Sequence, residues 1–182
     1  IVRSVEVKAS PRVLQVEGMF DIPRRHQASR IWDVTLPFEA KSWQIGLIVG
    51  PSGSGKSTIA REFFGDAVSS TWDWPAEDAV VDGFPREMSI GEVTGLLSSV
   101  GLSSPPSWLR PYGTLSMGEQ FRVTLARTLA EQPELAVIDE YSSVVDRRVA
   151  RIGSAALAKS LRRSSGKFVA VTCHEDVEEW LN

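Results

Sequence analysis

The sequence predicts an α/β protein with a parallel-sheet core, an N-terminal antiparallel β lobe and a short helical lobe. Three observations carry this. Short apolar runs at 44–49, 135–138 and 168–171 alternate with helix-like segments, the pattern of a buried parallel sheet. The first third instead alternates apolar and polar residues, as half-buried antiparallel strands do. A glycine-rich turn, Gly50 to Gly55, joins one apolar run to a helix.

In chain order, Val5 and Val7 alternate with Ser4 and Glu6, and a second strand is expected over 13–17. The basic stretch Pro23 to His26 reads as a solvated loop. Ile31, Val34, Leu36 and Phe38 continue the strand pattern. After the run at 44–49, a helix begins near Lys56. The chain from about Gly65 to Glu77 reads as irregular, and Ala79-Val80-Val81 as a strand ending at Asp82. Ser89 and Glu92 have capping-box spacing, so 89–100 is expected to be helical, with Ile90, Val93, Leu97 and Val100 on one face. Three prolines make 102–111 a connector, with Trp108 as its anchor. Ser116 and Glu119 form a second capping box opening a longer helix through Phe121, Leu125 and Leu129. A last helix is expected around 147–163.

A length of 182 residues fits one domain. Within it, 1–43 would be mainly antiparallel β lobe, 44–85 and 132–182 the core, and about 86–131 the helical lobe. Hydrophobic residues at 42% and charged residues at 24% exclude a disordered chain. No run approaches the roughly 18 apolar residues of a membrane span. A net charge of -3 argues against a broad nucleic-acid surface. Cys173 is the only cysteine, so no internal disulfide can form, and a reducing, cytoplasmic setting is expected.

Gly50-Pro51-Ser52-Gly53-Ser54-Gly55-Lys56-Ser57 matches the phosphate-loop pattern G-x-x-x-x-G-K-[ST], after a strand and before a helix. Glycines there let successive backbone N–H groups curl round phosphates, and the helix dipole faces them. Gly50, Ser52, Gly53, Ser54, Gly55, Lys56, Ser57 and Thr58 are the expected nucleotide contacts. Lys56 would bridge the terminal phosphates and Ser57 would ligate Mg²⁺. Asp139, at the end of the run 135–138, can hold that metal from a neighbouring strand. Glu140 beside it could orient or deprotonate an attacking water.

Leu115-Ser116-Met117-Gly118-Glu119-Gln120 lies just upstream of Asp139-Glu140. Tyr141 to Asp146 follows directly, and His174 ends a later strand. In this order the chain, from about Val13 to His174, resembles an ATP-binding cassette (ABC) ATPase domain. The resemblance implies ATP and Mg²⁺ as ligands, Glu140 as general base, Asp139 as metal acid and His174 as the residue sensing the γ-phosphate. It implies that Ser116 and Gly118 contact ATP held by a second copy, in a head-to-tail dimer formed with ATP. Residues 143–146 resemble the loop crossing that interface. Met117 stands where the family usually has glycine, and Tyr141 where many members have proline. Phe20 lies near the position of an adenine-stacking aromatic, or is a core phenylalanine, with Trp32 as its competitor.

No glutamine occurs between Thr58 and Gly118, so the family's glutamine in that interval is missing. Asp82, at the end of its expected strand, would stand in as a direct or water-mediated Mg²⁺ ligand, or be a turn aspartate before Gly83. The short helical lobe points to a non-transporter cassette. The detailed wording, including Val80-Val81-Asp82-Gly83-Phe84-Pro85 and Phe168 to His174, resembles ABC-type ATPases associated with or fused to predicted acetyltransferase domains. Ile1 as first residue and an end just after Trp180 suit excision from a longer protein. The expected role is an ATP-driven dimer switch for an attached or partner domain. The alternatives are the nucleotide-binding subunit of a membrane ABC transporter and a nucleic-acid-linked ATPase.

Overall fold

The computed structural model describes residues 1–36, 42–69 and 72–182. Two compact units result, Ile1–Leu36 and Pro37–Asn182.

In the first unit, strand β1 (Val2–Glu6) pairs antiparallel with β2 (Gln27–Ile31), from Val2↔Ile31 to Glu6↔Gln27. Helix α1 (Pro11–Phe20) lies between them in the chain. This corrects the strand expected at 13–17. Ser10 caps the helix by accepting from Val13 N–H, Pro11 occupies its first turn, and Asp21 ends it in the left-handed region. Proline at a helix start outweighs a five-residue alternation, because its fixed φ suits the first turn and its missing N–H is not needed there. Val34 and Leu36 follow β2 without strand pairing. Phe38 lies outside the described residues.

The second unit is built on four parallel strands. β3 (Ile45–Val49) leads into helix α2 (Lys56–Phe64) and then the two-residue strand β4 (Val68–Ser69). The latter corrects the irregular reading of 65–77: a one-turn 3-10 segment, Gly65–Ala67, re-enters the sheet there. No strand forms at 79–81. Val80–Gly83 is a 3-10 turn, tied down by the Val80 N–H donating to Arg110 O and by a lone bridge between Ala79 and Pro111. Val80 is fully buried, which explains its strand-like apolar character without any sheet partner.

Helix α3 (Ile90–Ser99) carries the expected capping box and buries Val93 and Leu97, with Val100 just beyond it. Ile90, expected on that face, is 66% exposed because it sits in the first turn. The connector holds a short helix, α4 (Pro105–Trp108), and the Trp108 indole anchors it by donating to Leu102 O at 2.9 Å. Helix α5 (Met117–Glu131) follows its capping box as expected. Strand β5 (Leu135–Ile138), helix α6 (Arg147–Leu161), strand β6 (Lys167–Thr172) and a terminal helix α7 (Val177–Leu181) complete the unit.

The strand order is β3-β6-β5-β4, so β6 separates the phosphate-loop strand from the strand ending at Asp139. Successive β6 residues feed opposite faces. Phe168 and Ala170 join the larger core with Leu97, Phe121, Leu125, Tyr141 and Leu157. Val169 and Val171 pack with Ala60 of α2 and Val137. All four strands run the same way, so their carboxyl ends line one rim, where open α/β sheets bind ligands. Among the described residues no helix is long and apolar enough to cross a membrane.

Candidate nucleotide site

Gly50 to Gly55 connects β3 to α2 at that rim. Gly53 and Gly55 adopt φ of 74° and 101°, a region glycine enters freely. Gly55 is the residue before the helix, so the loop turns straight into the free N–H groups of the first turn of α2. Ser52 is exposed, while Ser54, Ser57 and Thr58 are half-buried. The Lys56 ammonium is folded over the loop and donates to Gly50 O and Pro51 O, both at 2.8 Å. A flexible point charge is thereby stationed against the loop.

Ser57 and Asp139 meet. The Ser57 hydroxyl donates to Asp139 Oδ1 at 3.0 Å, and the same oxygen accepts the Glu140 N–H at 3.0 Å. Asp139 is only 6% exposed. Its strand is not the immediate neighbour of β3, as expected, but the next one over. The contact is made because α2 packs across β6 toward β5, with Ala60 against Val137, Val169 and Val171.

Glu140 is exposed and has φ 54°, and Ser142 has φ 64°. For residues with a Cβ, left-handed backbone costs on the order of 1 kcal/mol or more each. Between them, Tyr141 is fully buried. The Ser142 hydroxyl lies 3.3 Å from His174 Nδ1, which places the histidine directly behind the Glu140 segment.

Ser57, Asp139, Glu140 and Ser142 line a cavity of about 600 Å³ together with Trp72, Tyr112, Met117 and Gln120. Trp72 is the residue the sequence reading missed: it follows β4 and donates its indole N–H to Thr128 of α5 at 2.8 Å. Recognising it required seeing β4, and two strand residues give no periodicity.

Ser116 and Gly118 do not line this cavity. Ser116 is engaged in its capping box, its hydroxyl donating to Glu119 Oε2 at 2.8 Å. Gly118 has a packing reason as well: a Cβ there would lie 3.0 Å from Val149 of α6. The Glu119 carboxyl accepts from Ser107, from the Ser116 N–H and from the Ser116 hydroxyl, and these bonds hold its pKa down at about 2.

Asp82 does not join the group. The strand meant to present it is absent, and it sits exposed in the 3-10 turn, outside the cavity lining. The topological argument for Asp82 as a metal ligand falls with that strand. Phe20 ends α1 in the first unit and is 67% exposed, so it is not a core residue. Trp32, after β2, lies under the Arg30 guanidinium at 5.2 Å.

A glycine loop capping a helix, with a serine hydroxyl on a buried strand-end carboxylate, defines a P-loop nucleoside triphosphatase. No family model matches the chain. An aliphatic sulfonates import ATP-binding protein of Frankia alni is 35% identical over 154 residues, 74% of this chain and 61% of its own length. A zinc import ATP-binding protein of Cereibacter sphaeroides is 30% identical over 176 residues, 84% of this chain and 69% of its own. The solved structure of CbiO1 from Clostridium perfringens, part of an ABC transporter complex, has a TM-score of 0.61 at 17% identity, covering 74% of this chain and 68% of that one. The chain therefore belongs to the ATP-binding cassette family, whose ATP-binding proteins are ATPases.

Proposed function

We propose that the protein binds and hydrolyses ATP as a head-to-tail dimer whose closure and release drive an attached or partner domain. The observation that carries this is the joining of Ser57, Asp139 and Glu140 at the rim beside the phosphate loop. Lys56 and the loop amides would grip the phosphates as preorganised positive charge. Glu140, exposed at the cavity, would take the proton of the attacking water, and His174, steadied by Ser142, would contact the γ-phosphate side. Ser116 and Gly118, outside this chain's own cavity, would complete the site of the second copy, giving two equivalent sites under twofold symmetry.

Mg²⁺ fits the donor set. The Ser57 hydroxyl and the Asp139 carboxylate are hard oxygen donors 3.0 Å apart, the type this ion prefers. Those two residues would hold it, and when bound it would neutralise charge on the phosphates. Asp82 lacks a comparable position.

The expectation of a non-transporter cassette draws no support from the relatives, two of which are named import ATP-binding proteins. A membrane transporter component is on that ground the favoured partner. The attached or partner acetyltransferase domain rests on the sequence resemblance alone. Size-exclusion of Glu140→Gln with saturating Mg·ATP tests the shared site: a dimer is expected, and a monomer overturns it. Co-purification with a membrane protein, or with an acetyltransferase, separates the two partners.

A further inference from the structure

We propose that Tyr141 is a positioning residue for ATP hydrolysis, a buried pin that holds Glu140 and Ser142 in their left-handed backbone conformations. The inference rests on the reading of Glu140 as the base.

Three independent anchors fix the pin. The Tyr141 N–H donates to Val171 O of β6 at 2.8 Å. Its phenol oxygen lies 2.7 Å from the Ser154 hydroxyl of α6, with both residues fully buried. Its ring sits edge-to-face between Phe121 of α5 at 5.5 Å and Phe168 of β6 at 5.6 Å. One side chain thus contacts α5, α6 and β6 at once.

The residues on either side pay the conformational cost. Glu140 and Ser142, neither of them glycine, both have positive φ. Such a conformation persists only where the surroundings over-determine it. The left-handed turn at each residue sends the flanking side chains in separate directions from the Tyr141 ring, Glu140 to the exposed side and Ser142 to a buried one. Glu140 emerges into the cavity, and Ser142 turns to His174. If Tyr141 loosens, the relaxed backbone swings both away from those places. Tyr141 borders the same cavity, but its side chain is fully buried and needs no contact with ATP, so binding should be spared while turnover suffers.

The test is a set of variants assayed for kcat, KM for ATP and nucleotide affinity by a fluorescent ATP analogue. Tyr141→Phe and Ser154→Ala each remove one hydroxyl of the same bond. Each should lower kcat by about fivefold, the scale of one net hydrogen bond, with KM unmoved. Their double variant should fall no further than either single one. Tyr141→Leu removes the ring and should cost roughly 30- to 100-fold in kcat, as a misplacement of about 1 Å can, while keeping nucleotide affinity. If Tyr141→Leu does not fold, the two hydroxyl variants decide alone. Full kcat in folded, ATP-binding variants overturns the proposal, as does a parallel loss of affinity and turnover. Glu140→Gln in the same assay separates the two levels. An active Glu140→Gln overturns the base assignment and this inference together, whereas an inactive one beside full-rate Tyr141 variants overturns the inference alone.

Discussion

Ser57 and Asp139, 82 positions apart in the chain, share a 3.0 Å hydrogen bond across the sheet rim. The bond joins the first turn of α2 to the end of β5, and it brings together the two oxygens expected to share a cation. Asp139→Asn keeps the shape and removes the charge. It should raise the Mg²⁺ concentration needed for half-maximal hydrolysis by about 10- to 100-fold, the usual loss for a supporting carboxylate. A Mg²⁺ titration of ATPase rate checks it.

Among the described residues the Lys56 ammonium meets carbonyls, not a carboxylate, donating to Gly50 O and Pro51 O. Lys56→Ala should weaken ATP binding by about 10- to 100-fold, the worth of a charge-assisted hydrogen bond, with little change in thermal stability. Calorimetry with ATP reads the first and a melting curve the second.

Glu119 supplies a pH signature. Its folded pKa, about 2, lies below its ordinary 4.5 because Ser107 and Ser116 donate to the ionised form. A depressed carboxyl adds stability above its unfolded pKa and loses it as pH falls through the folded value. The melting temperature should therefore fall between about pH 4.5 and pH 2 more steeply than in Glu119→Gln. Because this carboxyl is only half-buried and meets solvent, the difference should be modest and should shrink further in salt.

Gly153 of α6 faces the Phe121 ring, and a Cβ there would lie 2.8 Å from it. Gly153→Ala should destabilise the fold by about 1–3 kcal/mol through overpacking, despite alanine's better helix propensity. Urea unfolding measures it. Because Phe121 also packs on Tyr141, the same variant should lower kcat.

What was legible in the sequence was whatever local chemistry dictates alone. The phosphate loop, both capping boxes and the apolar runs of β3, β5 and β6 needed no tertiary information. Val13 to Glu17 misled because a short alternation is compatible with either period, and the Ser10-Pro11 start signal resolves it. Val80 and Val81 misled because apolar residues in a buried 3-10 turn look like those in a strand. That error carried Asp82 with it, while Trp72, at the true sheet edge, went unseen. Asp139, Glu140 and His174 were legible as a set, but the bond from Ser142 to His174 depends on a left-handed turn that sequence does not announce.

The placement of β6 between β3 and β5 makes one strand the gauge of the whole assembly. A slip of one residue would send Val169 and Val171 into the space shaped for Phe168 and Ala170, and would carry His174 off its mark beside Ser142. Misaligned molecules thus forfeit their packing and their chemistry at the same moment. Folding itself proofreads the enzyme against a one-residue error in this strand.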